Sequence, residues 1–325
     1  MDSLDNQGST LVLGLIVLIV IYLISEWRAY NSQKCESPVD ISTGLKKEVV
    51  KSNNDGDDNK TVVVGETAVK KVLSPVVFRP FEIVEAVNVS GDSKLIRFKI
   101  PDVDGNGEDM SIGLPIGRHI TLQVDIDGTR VMRPYTPCSS PGQRGHFDLL
   151  IKSYEFGKMS RHIHSLEVGD SVKVRGPIGR FHYFPNKYNT IGLVAGGTGI
   201  TPCLQVVRHI LESDPSDRTS FVLFYQNRTF ADILLKDVLD ALQAAHPNRL
   251  KIRYFLSNAG ASVPRAHSRN VVKGYVTKEM LVELMRCPQL CQLTCLCGPS
   301  GFNAMVRRIL CDELGGVEGE TVHVW

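Results

Sequence analysis

Two domains of different class are predicted to follow one another in this chain: an antiparallel barrel or sandwich, then a parallel α/β sheet with helices on both faces. Three observations carry that reading. Over 78–185, short apolar/polar alternations are broken by Gly, Pro and Asp, the pattern of half-buried antiparallel strands. From 189 onward, apolar runs of strand length alternate with amphipathic runs of helix length, which builds a parallel sheet. Ahead of both, 11–24 is an almost unbroken run of Leu, Val and Ile, with only Gly14 and Tyr22 inside it.

The amino-terminal run is short for a spanning helix, which needs about 17–25 residues. Thr10 and Ser25 extend it, and Trp27 and Tyr30 suit a membrane interface. A secretory signal would begin with basic residues, whereas Asp2 and Asp5 stand there. The expectation is an uncleaved membrane-anchor helix over 11–27, after a short segment 1–10. Arg28, Lys34, Lys46 and Lys47 follow it, so the positive-inside rule puts the rest of the chain in the cytosol. The stretch 28–75, rich in Asn, Asp, Lys and Ser, reads as a flexible stalk. Sequons stand at Asn59, Asn88 and Asn227; on a cytosolic domain none carries a glycan.

Strands are expected in the first domain (76–187) over 94–100, 119–126, 147–154 and 171–175, with a Gly-Pro-Ile-Gly turn at 176–179 shaping the edge. In the second domain (188–325), strands over 190–195, 221–225, 250–256 and 292–297 alternate with helices over 233–244, 277–285 and 302–314. Lysines and arginines number 37 against 35 acids, a net charge of +2, and no basic run points to nucleic acid. Of the eight cysteines, Cys291, Cys295 and Cys297 crowd one segment, but without zinc or iron–sulfur spacing. No metal site is expected, and the thiols read as reduced.

Three short motifs carry chemistry. Arg133-Pro134-Tyr135-Thr136 follows the alternating run 120–131 and offers a cation, a ring and a hydroxyl in close register. That set suits an elongated anionic ligand with an aromatic head. Gly196-Gly197-Thr198-Gly199-Ile200-Thr201-Pro202 joins an apolar strand to a helix whose apolar face includes Leu204, Val207 and Leu211. Its glycines let backbone N–H groups approach a phosphate, and the helix N-terminus adds positive potential. Cys297-Gly298-Pro299 ends the strand 292–297, at the sheet edge where α/β ligands bind.

With Gly157-Lys158-Met159-Ser160 between the first two, the order of these motifs resembles the NADH–cytochrome b5 reductase family, within the ferredoxin-reductase-like flavoproteins. The resemblance covers roughly 76–325. It implies an antiparallel Greek-key FAD-binding barrel followed by a Rossmann-like NAD-binding domain, hydride transfer from NADH to FAD, and single-electron release to cytochrome b5 or a similar haem protein. It also implies roles. Arg133 would meet the flavin pyrophosphate, and Pro134 and Tyr135 would lie along the flavin. Thr136 would reach its reactive edge, and Leu150 and Lys152 would stand near the meeting point of the two cofactors. Gly157, Lys158, Met159 and Ser160 would hold phosphate at a helix start. Gly196, Gly197, Thr198 and Gly199 would hold the NADH pyrophosphate, with Thr201 and Pro202 between the cofactors. Cys297, Gly298 and Pro299 would flank the nicotinamide, making Thr136, Lys152 and Cys297 the expected catalytic side chains.

Three departures from the family pattern stand out. After the strand 250–256, Ser257-Asn258 replaces the aspartate usual in NADH-specific members, and Arg228 and Arg265 lie in neighbouring loops, so NADPH use is an open alternative. Ser300-Gly301-Phe302 follows Cys-Gly-Pro where Pro and Met are usual, and the chain ends in Trp325 rather than phenylalanine. Competing readings are a reductase for another acceptor, and a membrane-tethered flavin-binding protein without turnover. Endoplasmic reticulum and mitochondrial outer membrane both suit the anchor.

Overall fold

A computed structural model describes residues 72–101, 110–258, 260, 262–286 and 292–325. The expected anchor, the stalk up to 71, Asn59 and Cys291 lie outside the described residues. The first half contains β1 (Arg79–Ser90), β2 (Ser93–Lys99), β3 (His119–Ile126), β4 (Thr129–Tyr135), β5 (His146–Lys152), α1 (Lys158–Ser165) and β6 (Ser171–Ile178). The second contains β7 (Thr190–Gly196), α2 (Ile200–Glu212), β8 (Ser220–Asn227), α3 (Lys236–Ala245), β9 (Leu250–Leu256), β10 (Val271–Lys273), α4 (Lys278–Arg286), β11 (Leu293–Cys297), α5 (Ser300–Arg307) and β12 (Val322–Val324).

The first six strands form an antiparallel sheet in the order β4-β3-β6-β1-β2-β5. Phe98 stacks on Phe147 at 5.3 Å, and Phe81 meets Phe147 edge-on at 5.5 Å. Val131 on one edge strand and Phe147 on the other belong to the same buried core, so the sheet curls around its own apolar face. Among the described residues no ladder closes β4 onto β5, so the barrel is closed by packing and not by hydrogen bonds.

The alternating run 120–131 divides in two. Asp127 and Gly128 both take positive φ (49° and 72°), the geometry of a two-residue hairpin turn that matches strand twist. The chain folds back there, and Tyr135 pairs with Ile120. Arg133-Pro134-Tyr135 therefore forms the end of β4 and does not follow a strand. A second correction concerns the stalk. Val72 and Leu73 are buried, Arg79 Nη1 donates to the Val72 carbonyl at 2.8 Å, and Gly176 N donates to the Ser74 carbonyl at 2.9 Å. The packed body thus begins at least at Val72, inside the segment 28–75.

The second sheet is parallel throughout, in the order β10-β9-β8-β7-β11-β12. Every residue of β7 is buried, because helices cover both faces. Ile191, Leu193 and Ala195 join one core with Leu204 and Val207 of α2, while Val194 faces the other with Leu281 of α4 and Val306 of α5. The strands β10 and β12 were not anticipated: three residues each is too short for an alternation to register. The helix expected over 302–314 begins at Ser300 and turns π-helical from Arg308. From β7 the chain steps outward through β8, β9 and β10, then returns to lay β11 and β12 on the opposite side. The order reverses between β7 and β11, and a crevice opens beyond their carboxyl ends at such a point.

Candidate functional site

A cleft of about 670 Å³ lies at that reversal point, walled on its other side by β4, β5 and the start of α1. Of the residues expected at the site, Arg133, Pro134, Tyr135, Thr136, Leu150, Lys152, Gly157, Lys158, Met159, Ser160, Thr198, Gly199, Thr201, Pro202, Cys297, Gly298 and Pro299 line it. Gly196 and Gly197 do not. Gly196 is the buried last residue of β7, and Gly197 makes the turn that follows it with φ of +54°.

The α/β wall is backbone brought close. A Cβ on Gly199 would lie 2.2 Å from the Cys297 carbonyl oxygen, so only glycine allows the loops after β7 and β11 to touch. A Cβ on Gly196 would fall 2.9 Å, and one on Gly298 2.5 Å, from the Phe302 ring. The phenylalanine that departs from the family pattern thus sits beneath both glycines. Thr201 Oγ1 donates to the Thr198 carbonyl at 3.2 Å and holds the turn in shape. The Cys297 thiol is pushed up to about 12 by burial, so it stays protonated and is no thiolate nucleophile.

The antiparallel wall presents side chains. Arg133 is exposed, and its Nη1 donates to the neighbouring Met132 carbonyl at 2.7 Å. The Tyr135 phenol is pushed up to about 12 by burial, against the opposing pull of Arg133. Gly157 caps α1; a Cβ there would meet Ser160 Oγ at 2.3 Å. Ser160 Oγ donates to the Gly157 carbonyl at 3.2 Å, and the Tyr154 amide donates to it at 3.3 Å. This leaves the first-turn amides of α1 facing the cleft without intrahelical acceptors.

Lys152 differs from expectation. Its Nζ is paired with Asp92 Oδ2 at 2.6 Å, so the cation is anchored to the β1–β2 turn although its chain lines the cleft. Burial opposes ionisation of Asp92, but the hydrogen bond from Lys152 holds its pKa below the usual carboxylate value.

His119, Tyr154, Phe156 and Trp325 also line the cleft, and sequence reasoning missed them as site residues. Tyr154 Oη lies 3.4 Å from Thr198 Oγ1, joining the two walls. Phe156, next to the Gly-Lys-Met-Ser motif, is 90% exposed at the rim. The Trp325 indole N–H donates to the Gly117 carbonyl at 3.2 Å, a bond that a terminal phenylalanine could not make. Its ring lies 5.6 Å from Phe181 and 5.1 Å from His323. Only its place at the chain end marked it in the sequence.

Among the described residues no group of three or more His, Cys, Asp or Glu side chains gathers as for a metal. Cys138, Cys203, Cys295, Cys297 and Cys311 are free thiols.

Comparison with known proteins agrees with this geometry. Residues 80–183 match the oxidoreductase FAD-binding domain family, and 193–308 match the oxidoreductase NAD-binding domain family. An NADH-cytochrome b5 reductase 1 of Dictyostelium discoideum is 43% identical over 235 residues, covering 72% of this chain and 78% of the relative. That of Candida albicans is 43% identical over 238 residues, 73% and 76% of the two chains. This chain belongs to the NADH–cytochrome b5 reductase family. Among solved structures, the cytochrome b5 reductase domain of Ulva prolifera nitrate reductase superposes with a TM-score of 0.66 at 33% identity, over 79% of this chain and 100% of that one. The corresponding part of human Ncb5or, in its NAD+ form, gives 0.63 at 26%, over 76% and 69%.

As a member of this family the chain is an oxidoreductase that binds FAD and NAD. Its residues suit both groups: glycines are packed so that a Cβ would collide, first-turn amides are left over, and an arginine with no carboxylate partner among the described residues stands at the cleft.

Proposed function

We propose that this protein is a membrane-anchored reductase that takes hydride from NADH and delivers electrons singly to cytochrome b5. The observation that carries it is a cleft in which the two cofactor-type walls face each other at the strand-order reversal. Bound FAD supplies the conversion from a two-electron donor to a one-electron acceptor. The chain's own residues bind and orient. Arg133 offers a guanidinium fork to the flavin pyrophosphate, helped by the first-turn amides of α1. Tyr135, neutral at physiological pH, would lie along the flavin, and Thr136 would supply a hydroxyl at its reactive edge. Thr198, Gly199 and the start of α2 would hold the dinucleotide pyrophosphate. Thr201, Pro202 and the neutral Cys297 thiol orient the nicotinamide. Lys152, paired with Asp92, positions β5 against the β1–β2 turn. Orientation at contact distance is the main catalytic contribution, since hydride transfer needs no general base.

The test is an anaerobic titration of the flavin-loaded protein with NADH, followed by oxidised cytochrome b5. Bleaching by one equivalent and reoxidation by the haem protein are expected; a flavin inert to NADH would leave a binding protein. A second reading, NADPH use, is favoured by the end of β9. Ser257 Oγ donates to the Asn227 carbonyl at 3.3 Å, the Asn258 amide bonds the Arg228 carbonyl at 2.9 Å, and the Arg228 side chain is exposed beside them. A preference for NADH of about tenfold or more in kcat/KM, some 1.4 kcal/mol, removes that reading.

The anchor rests on the apolar run 11–24 and its flanking charges. Among the described residues no helix is long and apolar enough to cross a membrane. For a cytosolic orientation at the endoplasmic reticulum or mitochondrial outer membrane, Asn88 is the informative sequon. It is exposed on β1, whereas Asn227 is only 5% exposed. A glycosidase-sensitive mass at Asn88 would reverse the orientation.

A further inference from the structure

Helix α2 begins at the glycine turn and carries a stripe at 201, 205, 208 and 212, spacings of four, three and four that keep one narrow face. Thr201 lines the cleft. The other three grip the flavin-side half. Gln205, buried, accepts from the Gly117 amide through Oε1 at 2.8 Å and donates from Nε2 to the Arg118 carbonyl at 3.0 Å. Arg208 Nη1 donates to the Cys138 carbonyl at 2.8 Å, and Glu212 accepts from Ser140 Oγ at 3.2 Å. Cys138 stands two residues after Thr136, and Gly117 two residues before His119, so both gripped loops lead directly into the cleft wall. Around these bonds the seam is dry: Cys138, Leu150 and Phe181 of the first half are buried in one core with Cys203 and Leu204 of α2. The grips are mainly to backbone atoms, so they set loop position whatever side chains the loops carry.

We infer that Gln205 and Arg208 are positioning residues: they make α2 a rigid ruler that transmits dinucleotide binding at its N-terminus to the flavin-side loops 115–118 and 138–140. This rests on the reading of the cleft given above. A ligand at the first turn of α2 restrains the helix, and the restraint reaches Thr136 through Arg208 and His119 through Gln205. Displacement of about 1 Å at a reacting centre costs up to about a hundredfold in rate, so loosening either grip slows flavin reduction without weakening the dinucleotide.

The experiment uses the full-length holoenzyme, with Arg208→Met, Arg208→Lys and Gln205→Met. Amide hydrogen exchange of both loops is followed with and without NAD+, and flavin bleaching by NADH is timed anaerobically. In the unsubstituted protein, NAD+ slows exchange in both loops. Arg208→Met abolishes that protection at 138–140 and leaves it at 115–118, and Gln205→Met does the reverse. Bleaching falls about tenfold or more in each, with KM for NADH within about twofold, and Arg208→Lys recovers most of the rate because one donor still reaches Cys138. The inference is overturned if NAD+ leaves both loops unchanged, or if variants that lose protection still bleach at the original rate. Should Arg208→Met fail to fold, Gln205→Met carries the same decision at 115–118. Failure of the unsubstituted holoenzyme to bleach would instead sink the reading of the cleft, and the exchange arm still decides the coupling.

Discussion

The two walls of the cleft are built in opposite ways. The antiparallel wall presents side chains from strand ends: Arg133, Tyr135 and Thr136 project from a hairpin whose backbone is already used in the ladder. The α/β wall presents backbone at Gly199 and Gly298, where a Cβ would fall 2.2 Å from the Cys297 carbonyl oxygen and 2.5 Å from the Phe302 ring. A flavin that stays bound suits the first arrangement, because several specific groups share its hold. A nucleotide that must arrive and leave suits the second, because preformed amides lose little entropy on binding. The difference teaches where each wall is fragile: the backbone wall should fail sharply at one atom, the side-chain wall by degrees.

The largest expected effect is therefore at Gly199. Gly199→Ala drives a methyl into the Cys297 carbonyl and should cost about 1–3 kcal/mol of stability through overpacking, with flavin reduction by NADH slowed about a hundredfold. Gly197→Ala is the sharpening control: nothing lies within 4 Å of its Cβ, so only the positive-φ penalty of about 1 kcal/mol applies. Thermal melts and stopped-flow bleaching separate the two, and equal effects would refute the close-approach argument.

Next comes Arg133→Ala. Losing charge-assisted hydrogen bonds to a pyrophosphate should weaken flavin binding by about 1.5–3 kcal/mol, readable as flavin fluorescence released on dilution. Arg133→Lys should recover part of it, since a point charge replaces the fork. A flavin held as tightly without Arg133 would move the pyrophosphate elsewhere.

A smaller effect is expected at Cys297. Its thiol, pushed up to about 12, remains neutral across the physiological range, so Cys297→Ala should lower kcat while leaving the pH profile between about 6 and 9 without a new limb. A thiol-dependent limb in the parent that vanishes in the variant would show that Cys297 ionises.

The smallest effect concerns the imidazoles of the seam and second half. Burial lowers the pKa of His119, His209 and His323 in the folded protein, with Arg118 adding to the effect at His119. The unfolded chain then binds more protons just below the ordinary imidazole value of about 6.5, so stability is full above it and declines as pH falls through it. Denaturant melts at pH 7.5 and 5.5 should show this loss, and His209→Gln should reduce it by a fraction of a kcal/mol.

Legibility followed the same division. The backbone wall was easy to find in sequence, because a glycine run between an apolar strand and a helix has few other uses. Even so, the order of residues did not tell which glycines touch the cleft: Gly199 lines it, while Gly196 and Gly197 do not. On the side-chain wall the motif was found but its setting was misread, since the alternation of β3 and β4 continues across Asp127-Gly128 as though the chain ran straight. Lys152 was placed at the cleft, but its partner Asp92 lies sixty residues earlier and leaves no local mark. His119 was missed because nothing near it in the chain distinguishes a cleft-lining ring from a strand-end ring, whereas Tyr154 and Phe156 stand just before the Gly-Lys-Met-Ser motif, the one local signal that could have found them.

What the sequence determined by itself is what periodicity and steric exclusion encode locally: the change from alternating strands to strand–helix repeats, the glycine turns, and the motif order that identifies the family. What only the tertiary structure decided is distance across the seam. The reversal of strand order between β7 and β11, the grip of Gln205 and Arg208 on the flavin-side loops, and the bond from Trp325 to Gly117 join residues 70 to 208 positions apart. Such contacts arise from closing two packed sheets on one another, and no local pattern can record a neighbour that is brought close only by the fold.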